Sequence, residues 1–350
     1  PSTQAPPLLF DLTSLQREGN SRFGFSAKTT LSIAQALYEK HKVLTYPRTD
    51  SRALPEDYVA VAKKTVDALA ANKGYAPFAK QIAKGGWVKP NKRIFDNAKI
   101  SDHFAIIPTL EAPRSLTEAE QKIYDLVVKR FLAVFFPSAE YLVTTRITTV
   151  EGHQFKTEGK VLVEPGWLAV YGKEAMQEQG ALVKVDAGER VATRAIEAAG
   201  LQTRPPARYN EATLLSAMEG AGKLVEDDEL RAAMAGKGLG TPATRAAVIE
   251  GLIDESYLVR EGKELHPTAK AFQLLRALRG FEGGALDLPE LTGEWEFKLA
   301  QMERGKLSRE EFMREIEQMT RDTVERIRKG AEKGEVPGDW SYYSWQDSRG

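Results

Sequence analysis

The chain has 350 residues, a length that allows two or three domains. Hydrophobic residues make up 42% of it and charged residues 28%, which is typical of a folded globular protein and excludes disorder over most of the length. Cysteine is absent, which excludes disulfides and cysteine-bound zinc, and 49 basic residues balance 49 acidic ones, so a case for nucleic-acid binding must rest on local features.

No apolar run approaches the roughly 20 residues that a membrane-spanning helix needs, and no secretory signal opens the sequence. We therefore expect no membrane partner and a cytoplasmic location, which the lack of cysteine fits. Residues 1–10 are rich in proline, lack an initiator methionine and are expected to be a linker, so the chain is expected to be a fragment.

Residues 11–138 predict a mainly helical domain. Apolar side chains recur at helical spacing in residues 31–38 behind Ser26, a good N-cap, and this helix is expected to end near Lys40. After a short apolar run, residues 46–51 are too polar and proline-rich for a helix. A weakly patterned region follows, and a loop at residues 92–107 separates it from a helix expected to begin near Leu116.

Residues 139–203 change to a period of two, which predicts strands. Residues 141–150 are dense in β-branched side chains, and the Glu-Gly pair at 151–152 predicts a hairpin turn. Residues 161–163 and 183–185 are expected to extend this small antiparallel sheet.

Residues 204–329 predict a second helical domain. Helices resume at Asn210, another helix is expected from Ala243 to Glu255, and two short strands follow it, which is the order of elements in a winged helix. Residues 330–350 are expected to form a flexible tail. The predicted fold is therefore mainly α with a small antiparallel β region, an α+β multidomain protein in which winged-helix-like helical domains are joined by a β segment.

Tyr46 is the candidate nucleophile. Pro47 biases it toward an extended backbone, in which residues two apart project to the same side, so Tyr46 and Arg48 can face one target. A phenol, with an ordinary pKa of about 10, attacks phosphorus only if its proton is removed and the phosphate charge is neutralised. A guanidinium suits the second task, although a tyrosine beside an arginine is more often a packing residue.

Residues 46–51, YPRTDS, resemble the nucleophile motif of type IA DNA topoisomerases, Thr-Tyr-X-Arg-(Thr/Ser)-Asp, and the proline is similar to the topoisomerase III branch. Residues 102–109, DHFAIIPT, resemble the His-X-Ala-Ile-X-Pro-Thr segment of the same family. The resemblance implies that His103 contacts the scissile phosphate and can assist proton movement. Without it, His103 would be read as an ordinary surface residue.

Two further segments, 205–215 and 238–245, resemble the family's Pro-Pro-X-(Arg/Lys)-Tyr-(Thr/Ser)-Glu-Ala-X-Leu and Gly-X-Gly-X-Pro-(Ser/Ala)-Thr motifs. Asn210 departs from the usual hydroxyl residue of the first motif. The N-terminus of a helix beginning near Thr241 can hold a phosphate, although simple capping would explain the same residues. The resemblance implies that the following residues bind DNA: Arg208, Tyr209, Glu211, Gly240, Thr241, Thr244 and Arg245.

The resemblance implies an ATP-independent isomerase that cuts one DNA strand through a 5′-phosphotyrosine link, passes a strand and reseals the break. It also implies single-stranded or underwound DNA as the partner, a nucleoid-associated monomer, and Mg²⁺ bound by an N-terminal Toprim domain. That domain carries an Asp-X-Asp-X-Glu cluster, and no Asp-X-Asp occurs in this sequence. We therefore expect no metal ligands in this chain and no complete relaxation cycle from it alone.

Two alternatives stay open. Tyrosine recombinases also use a tyrosine on DNA, but they need a His-X-X-Arg pair, and none of the four histidines is followed by arginine at that spacing. A non-catalytic winged-helix module that only grips DNA would fit the second helical domain. Formation of a covalent adduct at Tyr46 separates the enzyme from the module.

Overall fold

A computed structural model describes residues 1–176, 180–234, 238–280 and 286–332. The chain forms two units, one of Pro1–Leu15 with Leu31–Pro206 and one of Gln16–Thr30 with Ala207–Gly350. The described helices are α1 Leu12–Phe23, α2 Ala27–Glu39, α3 Val59–Leu69, α4 Ala76–Gly85, α5 Glu118–Ala133, α6 Glu211–Glu219, α7 Asp228–Met234, α8 Pro242–Asp254, α9 Ala269–Gly280, α10 Pro289–Glu303 and α11 Arg309–Glu332. The strands are β1 Ser2–Gln4, β2 Ala139–Val150, β3 His153–Glu164, β4 Leu258–Glu261 and β5 Glu264–Pro267. The predicted fold class, mainly helical with small antiparallel sheets, is confirmed.

The first unit has a helical core. Its longest helix, α5, begins at a reciprocal cap: Thr117 Oγ1 accepts from Glu120 N at 3.3 Å, and Glu120 Oε2 accepts from Thr117 N at 2.8 Å. The Thr117 backbone amide, and further hydrogen bonds from the Thr117 hydroxyl and His41, hold the pKa of the Glu120 carboxyl below its usual range. This cap fixes the start of a helix whose apolar residues are almost fully buried, so it sets the register of the core.

A three-stranded antiparallel sheet, in the order β1-β2-β3, completes this unit. The long hairpin β2-β3 turns at Glu151 and Gly152, both with positive φ, as the sequence predicts. Residues 161–163 extend this sheet as expected, as part of β3. The expectation for residues 183–185 was wrong: they form no strand, and Val183 is 82% exposed.

The expected linker at residues 1–10 is instead part of the fold. Residues Ser2–Gln4 pair with β2, and Leu9 and Phe10 are buried. Arg130 donates to the Leu8 carbonyl at 3.0 Å and lies over the Phe10 ring at 3.9 Å. Three prolines suggested a loose segment, but the apolar side chains beside them supply the burial that anchors it.

The second unit joins α6 and α8 through a small core of Ala27, Leu215, Ala246 and Ile249. The hairpin β4-β5 follows α8, so the predicted order of helices and hairpin is present. The winged-helix designation stays a prediction, as do the domain bounds 11–138, 139–203 and 204–329. Of the predicted tail, residues 333–350 lie outside the described residues. Within the described part of the chain, no helix has the length and apolar character needed to cross a membrane.

A glycine loop links α7 to α8. Gly238 has φ +68°, and a Cβ on it would lie 2.2 Å from the Met218 carbonyl oxygen, which also accepts the Leu239 N–H at 2.8 Å. The loop can therefore approach the end of α6 only because residue 238 has no side chain.

We predict that Gly238→Ala lowers the free energy of unfolding by roughly 1–3 kcal/mol, because it combines a left-handed backbone with a backbone clash. Gly251→Ala is the matched control: Gly251 lies within α8 with no atom within 4 Å of the added Cβ, and alanine should stabilise by about 0.5–1 kcal/mol. Urea unfolding followed by circular dichroism measures both. Equal stability of the two variants would contradict the loop geometry.

Candidate active site

The predicted nucleophile segment lies between α2 and α3 and pairs with the predicted histidine segment. Thr45 N donates to the Ile107 carbonyl and Thr109 N to the Val43 carbonyl, both at 3.0 Å, and Leu44 forms an antiparallel bridge with Pro108. Two segments about 60 residues apart in sequence are therefore joined by backbone hydrogen bonds within the first unit.

Two threonine hydroxyls reinforce this pairing on either side of Tyr46. Thr45 Oγ1 donates to the Ala105 carbonyl at 3.0 Å and accepts from Ile107 N at 2.9 Å. Thr49 Oγ1 donates to the His103 carbonyl at 2.9 Å, and the Thr49 side chain is buried. Because these bonds bracket the tyrosine, its backbone position is fixed relative to His103.

Tyr46 and His103 are in ring contact. Their ring centroids are 4.3 Å apart with the planes inclined at 47°. Tyr46 is half-buried, whereas His103 is exposed, so one side of the pair is open to a substrate. The ring contact places an imidazole, a group able to accept or donate a proton near neutral pH, next to the phenol.

Helix α2 also contacts the segment that carries Tyr46. Tyr38 meets Tyr46 edge-to-face, with ring centroids 5.5 Å apart and planes at 78°. One turn earlier on the same helix, Gln35 Oε1 accepts a long hydrogen bond, 3.4 Å, from Arg48 Nη2. Tyr46 and Arg48 therefore both contact the α2 face that carries Gln35 and Tyr38.

The residues after Arg48 are anchored to the start of α1. The Thr49 carbonyl accepts from Leu12 N at 3.0 Å, and Arg52 Nε donates to the buried Asp11 carboxylate at 2.7 Å. Asp50 is exposed and accepts from the Ser101 hydroxyl at 3.1 Å. These bonds hold the backbone on the C-terminal side of Arg48, and so limit the backbone positions that Arg48 can take.

The second predicted group lies in the other unit, around the start of α6. Arg208 is exposed and Tyr209 is 53% exposed, so both can reach a ligand. Glu211 is buried: its carboxylate accepts from Ala27 N at 2.6 Å and from Arg260 Nε at 2.8 Å. Asn210, the departure from the motif, acts as the N-cap, because its side chain accepts from Thr213 N at 2.8 Å.

The last predicted residues surround the start of α8. Gly240, Thr241 and Thr244 are exposed, and the Thr241 amide donates to Thr244 Oγ1 at 2.9 Å. Arg245 is 1% exposed and donates from Nε to the Leu239 carbonyl at 3.1 Å. The structure therefore places Arg245 and Glu211 inside the unit, where they fix its elements, and leaves the other five residues accessible.

A family model described as DNA topoisomerase matches residues 1–314. This chain belongs to the type IA DNA topoisomerase family. DNA topoisomerase 3 of Bacillus cereus is 43% identical to it over 340 residues, and DNA topoisomerase 3 of Bacillus subtilis is 41% identical over 337. Each match covers 93% of this chain and 46% of the relative, so the chain spans about half the length of these curated relatives.

The fold is also that of a solved family member. Full-length topoisomerase I from Thermotoga maritima superposes with a TM-score of 0.66 at 24% identity, over 93% of this chain and 51% of that one. At this identity the likeness concerns the fold alone.

Magnesium ligands are not found in the described part of this topoisomerase chain, which holds no group of three or more His, Asp or Glu side chains able to bind a metal ion. Arg48, a cation, and His103, a nitrogen donor, are not the oxygen ligands that Mg²⁺ prefers.

Sequence reasoning missed the two α2 side chains of the candidate site. Gln35 and Tyr38 lie 11 and 8 residues before Tyr46 and match no quoted motif. Their spacing could have indicated them: residues three apart share a helix face, and this helix directly precedes the nucleophile.

We predict that Thr45→Val lowers the free energy of unfolding by roughly 1–3 kcal/mol, because it leaves the Ile107 amide and the Ala105 carbonyl without their hydroxyl partner. Thr45→Ser keeps the hydroxyl and should retain most of the stability. Urea unfolding at neutral pH compares them. Equal unfolding free energies of the two variants would contradict a stabilising role of the Thr45 hydroxyl in the pairing of the two segments.

Proposed function

We propose that this chain carries the nucleophile of a type IA DNA topoisomerase, and that Tyr46 forms a 5′-phosphotyrosine link with one DNA strand. The observation that carries the proposal is the contact of Tyr46 with His103, within a segment pair that also holds Arg48. Family membership supports the same reaction class. The strand would be passed through the break and resealed without ATP.

In the proposed cleavage, the Tyr46 phenolic oxygen attacks the phosphorus, a new O–P bond forms, and the bond from phosphorus to the 3′ oxygen breaks. The phenol loses its proton and the departing 3′ oxygen gains one. His103 is placed to accept or relay a proton, and Arg48 to donate hydrogen bonds to the phosphate oxygens. Resealing reverses the exchange, which keeps the energy of the broken bond in the phosphotyrosine.

The proposed substrate is single-stranded or underwound DNA. Exposed Tyr209 offers a surface on which a base can stack, and exposed Arg208 offers a phosphate contact. Thr241 and Thr244 are exposed at the capped N-terminus of α8, where the helix dipole favours a phosphate. We assign Glu211 and Arg245 to positioning these elements, because both are buried.

The remaining assignments are also proposals. The Mg²⁺ of the family reaction would be held by a Toprim domain, not by the described residues of this chain. The enzyme would act as a cytoplasmic, nucleoid-associated monomer that relaxes or decatenates DNA. The competing function, a winged-helix module that binds DNA without cutting it, requires only the second unit.

We predict that the chain forms a covalent adduct with a single-stranded oligonucleotide in which sulfur replaces the bridging 3′ oxygen. A 3′ thiolate leaves without help from an acid or a metal, so attack by Tyr46 becomes visible in this chain alone. Denaturing electrophoresis and peptide mass spectrometry should place the link on Tyr46, and Tyr46→Phe should give none.

Tyr257→Phe is the matched control, since it removes a hydroxyl from a half-buried tyrosine of the other unit that lies outside the proposed DNA surface, and it should leave adduct formation unchanged. Binding of the oligonucleotide without any adduct would favour the non-catalytic module. An adduct on another residue would overturn the role of Tyr46.

We predict that Arg208→Ala weakens binding of single-stranded DNA and makes it less sensitive to salt. Loss of one phosphate contact should reduce the slope of log affinity against log salt by about 0.7. Arg190→Ala removes another exposed arginine, which lies outside the proposed surface, and is the charge-matched control. Fluorescence anisotropy at several salt concentrations measures both slopes, and equal changes in the two variants would count against a local contact at Arg208.

A further inference from the structure

Helix α2 presents two side chains of one face to Tyr46 and Arg48. Gln35 and Tyr38 are three residues apart, so their side chains are neighbours on the helix surface. The first contacts the Arg48 guanidinium and the second contacts the Tyr46 ring. One rigid element therefore touches both groups that the cleavage reaction requires.

The partner of Arg48 is an amide, and its chemistry suits an arginine that must bind phosphate. Gln35 Oε1 accepts one hydrogen bond from Nη2, and a guanidinium has five N–H donors, so the others stay available to phosphate oxygens. A carboxylate at this position would neutralise the guanidinium and compete with the phosphate. The amide orients the group without cancelling its charge.

Tyr38 restrains the Tyr46 ring. Hydrogen bonds of the neighbouring residues fix the backbone of this segment, and two ring contacts are made by the Tyr46 side chain itself. Tyr38 packs edge-on against Tyr46 at 5.5 Å, and His103 packs against it at 4.3 Å. Contacts with two rings limit rotation about the side-chain torsions of Tyr46, and hence the position of its hydroxyl.

We propose that Gln35 and Tyr38 are positioning residues for cleavage, Gln35 acting through Arg48 and Tyr38 through Tyr46. The proposal rests on the proposed function of Tyr46 as nucleophile. Neither side chain needs to touch DNA. Their removal should therefore slow the chemical step while leaving oligonucleotide affinity nearly unchanged, since a small misplacement of reacting groups costs far more in rate than in binding.

The test is the single-turnover rate of adduct formation by the full chain with the 3′-phosphorothiolate oligonucleotide, measured beside the dissociation constant. Gln35→Leu and Tyr38→Leu should each slow adduct formation by about tenfold and change the dissociation constant less than about twofold. Tyr38→Phe, which keeps the ring, should stay within about twofold of the wild-type rate. Ser32→Ala, at an exposed position on α2, is the helix control.

A double-mutant cycle separates positioning from general damage to the helix. If Gln35 acts through Arg48, adding Gln35→Leu to Arg48→Ala should slow the reaction no further than Arg48→Ala alone. Thermal unfolding verifies that each variant is folded, and Gln35→Glu, which keeps a side chain of the same size, serves if leucine unfolds the chain. That variant should also slow the reaction, because the new carboxylate pairs with Arg48.

The outcomes separate the proposed function of Tyr46 from the positioning roles of Gln35 and Tyr38. No adduct from the wild-type chain would refute the proposed function itself. A normal wild-type adduct with wild-type rates in Gln35→Leu and Tyr38→Leu would refute the positioning roles alone, and so would additive losses in the cycle or a tenfold loss in Tyr38→Phe.

Discussion

The site depends on hydrogen bonds between two irregular segments, 45–49 and 103–109. Neither segment lies in a regular strand, so its backbone groups would lack partners without the other. The hydroxyls of Thr45 and Thr49 add side-chain bonds to carbonyls of the histidine segment, at 3.0 and 2.9 Å. The ring contact of Tyr46 with His103 follows from this pairing, because the bonds lie on both sides of the tyrosine.

Two helices then contact the segment that carries Tyr46. Helix α2 contacts the side chains of Tyr46 and Arg48, and the start of α1 binds the Thr49 carbonyl. In the other unit, buried Glu211 links α6 to the first turn of α2 and to Arg260 of β4. Buried charges thus fix elements, while exposed polar side chains such as Arg208 and Thr241 stay available for a polyanion.

The sequence predicted the elements whose signals are local. The helix behind Ser26, the capped helix after Thr117 and the hairpin at residues 151–152 each carry a cap or turn that specifies them, and the structure has all three. Motif resemblance led to the family, which the match to residues 1–314 established. Features that depend on tertiary context were missed: the anchoring of residues 1–10 by Arg130, and the burial of Glu211 and Arg245. A sequence pattern gives the type of a charged residue but not whether its partner is DNA or its own backbone.

The placement of the Tyr46 ring against His103 is the central claim, and nuclear Overhauser effects between the two rings test it most directly. Protein with ring-labelled tyrosine and histidine, assigned with Tyr46→Leu and His103→Gln, should give strong cross-peaks between the aromatic protons of the two residues, as centroids 4.3 Å apart require. Assigned ring resonances without these cross-peaks would show that the two segments do not bring the rings together, and would contradict the account.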